Sequence, residues 1–244
     1  MNRESLASLI NFNMEDRYSV DSLARGIRTQ GGLRREEFYL KEISSGHPLE
    51  DRYENIPCVL IRSESFSERS ALIYLHEEGS VVLDRSSWIR EIASGGVILL
   101  GIGISKGDPL GKIVVKVLRG VSYLNLRRDI VDPERIFCWG KGEPGMWGLL
   151  SAALDERVSG LIMEEVPLEL VLDGEKALKT AEICELLPPR RLALLGIPDA
   201  DRAFEGAKEI YESLGRAEAL RFEKESGEDV KHDVMKWILQ GRSK

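Results

Sequence analysis

The stretch ERIFCWGKGEPGMWGLLSAALDERVSG, residues 134 to 160, constrains this chain more than any other. An apolar run ends at Trp139, glycines at 140, 142 and 145 punctuate the segment after it, and a second apolar run begins at Met146. Short continuous apolar runs are strands buried on both faces, and they occur where crossover helices cover a parallel sheet. Pro144 suits the first turn of a helix, where no N–H donor is needed. The expectation is a buried strand that delivers the chain into a helix through a glycine-rich turn.

The same grammar recurs along the chain. Buried strands are predicted at Ala71 to Leu75, Val97 to Ile104, Arg135 to Trp139, Gly160 to Met163, Leu192 to Ile197 and Ala219 to Phe222. Helices are predicted between and after them, at Val82 to Ala93, Leu110 to Leu126, Met146 to Leu154, Lys176 to Leu186, Ala203 to Leu214 and Val230 to Gln240. Ahead of these, Glu37 to Ile43 and Ile56 to Arg62 read as edge strands separated by a loop containing His47 and Pro48. The fold class is α/β, with about eight strands in a mostly parallel sheet and helices on both faces. Residues 4 to 28 space their apolar positions as a helix would, so residues 1–34 read as an N-terminal helical extension and 35–244 as the main domain.

A chain of 244 residues can bury a core without staples. Its net charge of -7 argues against a nucleic-acid partner, because phosphate binding needs clustered Lys and Arg. Cys58, Cys138 and Cys184 sit in apolar segments with no C-x-x-C spacing, and read as buried free thiols. No run reaches transmembrane length and the N-terminus does not read as a signal peptide, so a cytoplasmic address is expected, or a secreted one if the chain is a fragment.

In open α/β sheets ligands bind outside the carboxyl ends of the strands. Those ends carry His76-Glu77-Glu78, Gly103 to Gly107, Gly140 to Gly145, Glu164-Glu165, Asp199 and Glu225 to His232. The segments SALIYLHEEG, VLRGVSYLNLRRDIVDPERI, the glycine turn with AALDERV, and LPPRRLALLGIPDAD are together similar to the acetyl xylan esterase and dienelactone hydrolase-like branch of the α/β-hydrolase superfamily. The resemblance covers roughly residues 35 to 241. It implies a Ser, acid, His triad in that chain order, with the Ser on a strained strand-to-helix elbow. Matched to this sequence, the nucleophile position falls on Gly142, the acid on Asp199 with Asp201 as second choice, and the His near Glu228. His232 lies four residues past Glu228, within the predicted last helix, and takes the base's role only if the correspondence slips.

Glycine has no atom with which to attack a carbonyl. The turn retains backbone N–H groups and a helix N-terminus near Pro144, which favour a carboxylate or carbonyl oxygen. Lys141 and Glu143 flank Gly142 and form either a new acid and base pair or a solvated surface pair. His76 and Glu77 stand where the oxyanion loop belongs. Consecutive residues of a turn rarely converge on one ion, so no metal and no cofactor is expected there. Glu77, Glu78, Glu164, Glu165 and Asp199 would make an acidic rim. Trp139 and Trp147 bracket the turn and suit either sugar stacking or packing, and Asp229 suits the N-cap of the last helix.

Three functions remain open. The first is a non-catalytic ligand-binding or structural module. The second is an esterase on acetylated or carbohydrate substrates, with Glu143 or Glu228 activating water and Asp199 and His232 or His76 assisting. The third is a dimerisation or partner-binding domain using the N-terminal extension. The ligand expected is a small carbohydrate or acyl ester, with no nucleic acid or membrane partner and a homo-oligomer left open.

Overall fold

The computed structural model describes residues 1–13, 20–41, 55–65, 69–105, 107–172 and 176–240. The chain opens with helix α1 (Arg3–Leu9) and two antiparallel strands, β1 (Asp21–Gln30) and β2 (Leu33–Lys41). Strands β3 (Asn55–Ser63) and β4 (Ala71–Leu75) come next, then a 3-10 turn at Gly79–Asp84, α2 (Ser87–Ser94), β5 (Ile98–Ile102) and α3 (Leu110–Leu126). The second half runs β6 (Ile136–Lys141), α4 (Glu143–Leu154), β7 (Gly160–Glu164), β8 (Glu169–Leu172), β9 (Lys176–Lys179) and α5 (Thr180–Cys184). It closes with β10 (Arg191–Leu195), α6 (Ala200–Ala203), α7 (Glu205–Ser213), β11 (Leu220–Glu223) and α8 (Glu228–Gln240).

Nine strands form one sheet in the order β1-β2-β3-β5-β4-β6-β7-β10-β11. From β5 to β11 all pairings are parallel, whereas β1, β2 and β3 join antiparallel at one side. The continuous apolar runs account for this: β4, β5 and β7 are buried at every residue, which requires cover on both faces. One face carries α1, α3, α4, α5 and α7, with Leu6, Val117, Leu150, Ile183 and Tyr211 in a common core. The other carries α2 and α8, where Trp88, Trp139, Val234 and Ile238 pack together.

Two departures from the sequence expectation have physical causes. Residues 4 to 28 are not one helical stretch: α1 ends at Leu9 and Asp21–Gln30 is an edge strand. Every residue of β1 is exposed, so its apolar positions carry no alternation to betray a strand. The helix expected from Lys176 begins only at Thr180, because Lys176–Lys179 pairs with β8 in a separate hairpin whose Leu170, Leu172 and Leu178 cover the core. The main sheet thus has one strand more than the expected eight, and the loop with His47 lies outside the described residues.

Helix α1 belongs to the core. Leu6 is fully buried, Ile10 nearly so, and Arg3 Nη1 lies 2.5 Å from Glu156 Oε1 beyond α4. Leu6→Ala is therefore expected to destabilise the protein by about 2–5 kcal/mol, the cost of a cavity in a packed core. Urea unfolding checks this; a change near zero would describe a detachable arm.

Candidate functional site

At the end of β6 the backbone turns at Gly142 with φ 65° and ψ -134°, the N-cap position of α4. Residues other than glycine adopt this region of φ and ψ only under strain, at a cost of order 1–3 kcal/mol. The turn is tight elsewhere too: a β-carbon on Gly140 would lie 2.5 Å from Gly145 N, and one on Gly145 would lie 2.4 Å from Val166 Cγ1. At Gly142 itself a β-carbon would meet nothing within 4 Å, so the space above the turn is open. Gly142 N–H donates to Glu164 O at 2.8 Å and Gly145 N–H to Gly142 O at 3.0 Å. Pro144 has no N–H to offer, and the Glu143 carboxylate in the first turn already complements the positive helix end.

Charge gathers beside the turn. Glu164, the last residue of β7, is 1% exposed, yet Lys141 Nζ lies 3.2 Å and Lys231 Nζ 2.9 Å from its Oε1. Neither Glu164 oxygen accepts a well-aligned hydrogen bond from the described residues, so these contacts are ionic. Lys141 Nζ also lies 2.8 Å from Glu165 Oε2, and Ser226 Oγ donates to Glu165 Oε1 at 2.6 Å. Lys231 Nζ stands 5.4 Å from the Trp88 ring centroid, which adds a cation–π contact. Two lysines and two carboxylates from three strand or helix ends thus tie the β6 turn to the segment after β11. Burial, then the Glu164 charge, pushes the Tyr74 hydroxyl up to about 12.

Several expected arrangements give way here. Lys141 does not pair with Glu143; it is the last residue of β6 and reaches the neighbouring strand end, where Glu164 and Glu165 offer two carboxylates. The acidic rim is broken for the same reason, since Glu164 and Glu165 are neutralised by lysines. His232 is turned away by its position on α8, where Nε2 lies 3.3 Å from Glu91 Oε2 of α2. His76 Nδ1 accepts the Glu78 N–H at 3.1 Å, while Glu78 pairs with Arg85 at 2.8 Å. Glu77, Glu143, Asp199 and Glu228 are exposed, and their side chains form no ion pair or hydrogen bond among the described residues. Asp229 lies inside the first turn of α8 and not before it.

Asp199 caps α6 in the left-handed region, φ 50° and ψ 33°, and lines an open cleft of about 650 Å³ with Asp201, Arg202 and Lys224. Cys138 is buried in β6, and burial pushes its thiol up to about 12, which leaves no thiolate. Trp139 and Trp147 are buried on opposite faces of the sheet, so both pack the core and neither offers a ring for stacking. Among the described residues no group of three or more His, Cys, Asp or Glu is placed to hold a metal ion. No helix among them is long and apolar enough to cross a membrane. Sequence reading misses Lys231, because its partner is distant in the chain and nothing local distinguishes it from any lysine on a helix.

No protein-family model matches the chain, and no curated protein is similar to it. Solved structures do resemble it. A glucuronoyl esterase from Teredinibacter turnerae superposes with a TM-score of 0.72 at 12% identity, over 97% of this chain and 83% of that one. A putative acetyl xylan esterase from Bacteroides fragilis gives 0.71 at 11% identity, over 90% and 72%. A glucuronoyl esterase from Solibacter usitatus gives 0.69 at 12% identity, over 98% and 92%. The fold is that of the α/β-hydrolases.

The charge cluster has measurable consequences. Lys231→Met leaves a buried carboxylate with one partner fewer and is expected to cost about 1–3 kcal/mol. Replacing Glu164 by Leu in the same chain should recover much of that loss, because no buried charge then remains. Lys141 first, then Ser226, holds the Glu165 carboxyl below its usual range, and Glu165 raises Lys141 in return. The linked stability is fully present between the ordinary values, 4.5 for the carboxyl and 10.5 for the lysine. It is lost as pH falls through the lowered value or rises through the raised one. The gap in unfolding free energy between wild type and Lys141→Met should therefore be flat across neutral pH and narrow at both extremes; urea titrations from pH 3 to 11 check it.

Proposed function

We propose that this protein is an α/β-hydrolase-fold module that has lost the Ser and His of the triad and binds a ligand or serves a structural role without cleaving an ester. One observation carries the reading: the ionic cluster of Lys141, Glu164 and Lys231 lies beside a turn whose residue 142 has no side chain. Acyl transfer on this fold requires an activated nucleophile beside a base. Gly142 supplies none, the thiol of Cys138 is buried and protonated, and His232 is engaged with Glu91. The groups near Gly142 are instead committed to neutralising one another. A small carbohydrate or acyl compound in the cleft beside Asp199 fits this reading.

A second reading, an esterase acting through displaced residues, is favoured by the names of the structural neighbours, which include acetyl xylan and glucuronoyl esterases. In it Glu143 activates water beside the open space over Gly142. Glu143 is exposed, however, and a general base of this kind works best when burial raises its pKa towards neutrality.

The test is steady-state hydrolysis of short-chain acyl esters, acetylated xylo-oligosaccharides and alkyl glucuronate esters by the purified chain, beside Glu143→Gln and Asp199→Asn. Rates equal to the buffer background for all three proteins are expected. Turnover by the wild type that falls at least about 100-fold in Glu143→Gln, a loss typical of a general base, would overturn the non-catalytic reading.

A further inference from the structure

Strand β1 is the odd element of the fold. All ten of its residues are exposed, Leu23 is 50% and Ile27 57% accessible, and no other described strand pairs with its outer edge. As the outermost strand of the nine-stranded sheet it buries none of its residues, and an open edge is a template for another strand. We propose that β1 pairs edge to edge with β1 of a second copy of this chain, antiparallel about a two-fold axis at Ala24. The proposal is independent of whether the protein cleaves esters.

The register of β1 on β2 carries the argument. Asp21 lies opposite Lys41 and Leu23 opposite Tyr39, while Gly26 lies opposite Glu37 and Arg28 opposite Arg35. The partners alternate by two along β2, so Asp21, Leu23, Gly26 and Arg28 share one face of the ribbon. They do so only because a bulge between Ala24 and Gly26 inserts Arg25 as an extra residue and shifts the alternation. With two copies related at Ala24 and the bulge residue Arg25 left unpaired in both, each Asp21 faces the other copy's Arg28 on that shared face. Each Leu23 faces the other copy's Gly26, where a side chain would have open space.

The segment is therefore self-complementary, as an isologous interface must be. Opposite charges meet twice, a large apolar group meets a glycine twice, and alanine sits on the axis. Arg25 does not spoil the match: its guanidinium lies 4.8 Å from the Tyr39 ring centroid and donates to Tyr39 Oη at 2.6 Å, so it folds back on its own copy. Arg28 forms no ion pair among the described residues and is available to a partner. Asp21, 3.3 Å from Lys41 in an exposed pair, can accept a second cation.

Sedimentation velocity of the full chain over a concentration series reads the association directly. A dimer is expected for the wild type. Asp21→Arg or Arg28→Asp alone places like charges opposite each other twice and is expected to raise the dimer Kd at least about tenfold. Asp21→Arg with Arg28→Asp restores opposite charges and should return the Kd to within about threefold of the wild type. Far-UV circular dichroism checks that each variant folds. Amide exchange supplies a reading free of mutations: protection of residues 21 to 28 should rise with protein concentration. A wild type that is monomeric throughout, a dimer indifferent to both single reversals, a double variant no tighter than the singles, or exchange independent of concentration would overturn the pairing.

Discussion

A β-carbon cannot be placed on Gly140 or Gly145 without forcing strand and helix apart, and that close approach sets the geometry of everything nearby. It lets α4 start immediately after β6 and run back across the sheet against α3, with Leu149 and Leu150 buried. It also fixes the direction in which Lys141 leaves the sheet. Because β6 and β7 are parallel and Lys141 pairs in register with Glu164, the lysine has one short route to a carboxylate. The close approaches at Gly140 and Gly145 are packing constraints, whereas the space over Gly142 is open. The backbone conformation at Gly142, strained for most residues, is nearly free for glycine. The fold keeps the turn without the strain that a side chain there would carry.

Glu164 is the second constraint. A carboxylate with 1% exposure would cost several kcal/mol unless cations stood beside it. Lys141 and Lys231 come from opposite sides, one from a strand end and one from a helix, so the pair of contacts also pins α8 against the sheet. Trp88 covers Lys231, and Trp88 in turn packs against Trp139 with ring centroids 4.8 Å apart. Charge, aromatic cover and sheet core therefore form one contiguous structure. The charges of Lys141, Glu164 and Lys231 are compensated within this cluster, and the exposed carboxylates Glu143 and Asp199 stand outside it.

How much is legible in the sequence depends on burial. Ala71–Leu75 and Leu110–Leu126 can be read to the residue, because a run of apolar side chains has few other places to go. The turn at residues 140 to 145 is equally plain, since three glycines between a strand and a helix imply backbone in close approach. β1 is invisible for the opposite reason: exposed on both faces, it shows no period of two. The β8 and β9 hairpin is hidden because Leu178 and the residues after it also fit a helical spacing. At the site, Gly142, Lys141, Glu164 and Glu165 can all be named from sequence as neighbours of strand ends. Their pairing cannot, because Lys231 meets Glu164 only through the docking of the last helix, and the sequence around Lys231 reads as an ordinary amphipathic face.

The bulge in β1 and the glycine turn after β6 illustrate one logic at two scales. Each uses a local irregularity to set which side chains share a face. At β6 the irregularity turns the chain directly into a helix, and residue 142, at the N-cap, is a glycine. In β1 the extra residue Arg25 moves Gly26 and Arg28 onto the face of Asp21 and Leu23. Bulges at sheet edges commonly protect against stray pairing by bending the strand. A bulge that also brings complementary charges to matching positions admits one register while still rejecting others, because a shift by one residue sends every side chain to the wrong face. The edge is then selective, not merely open.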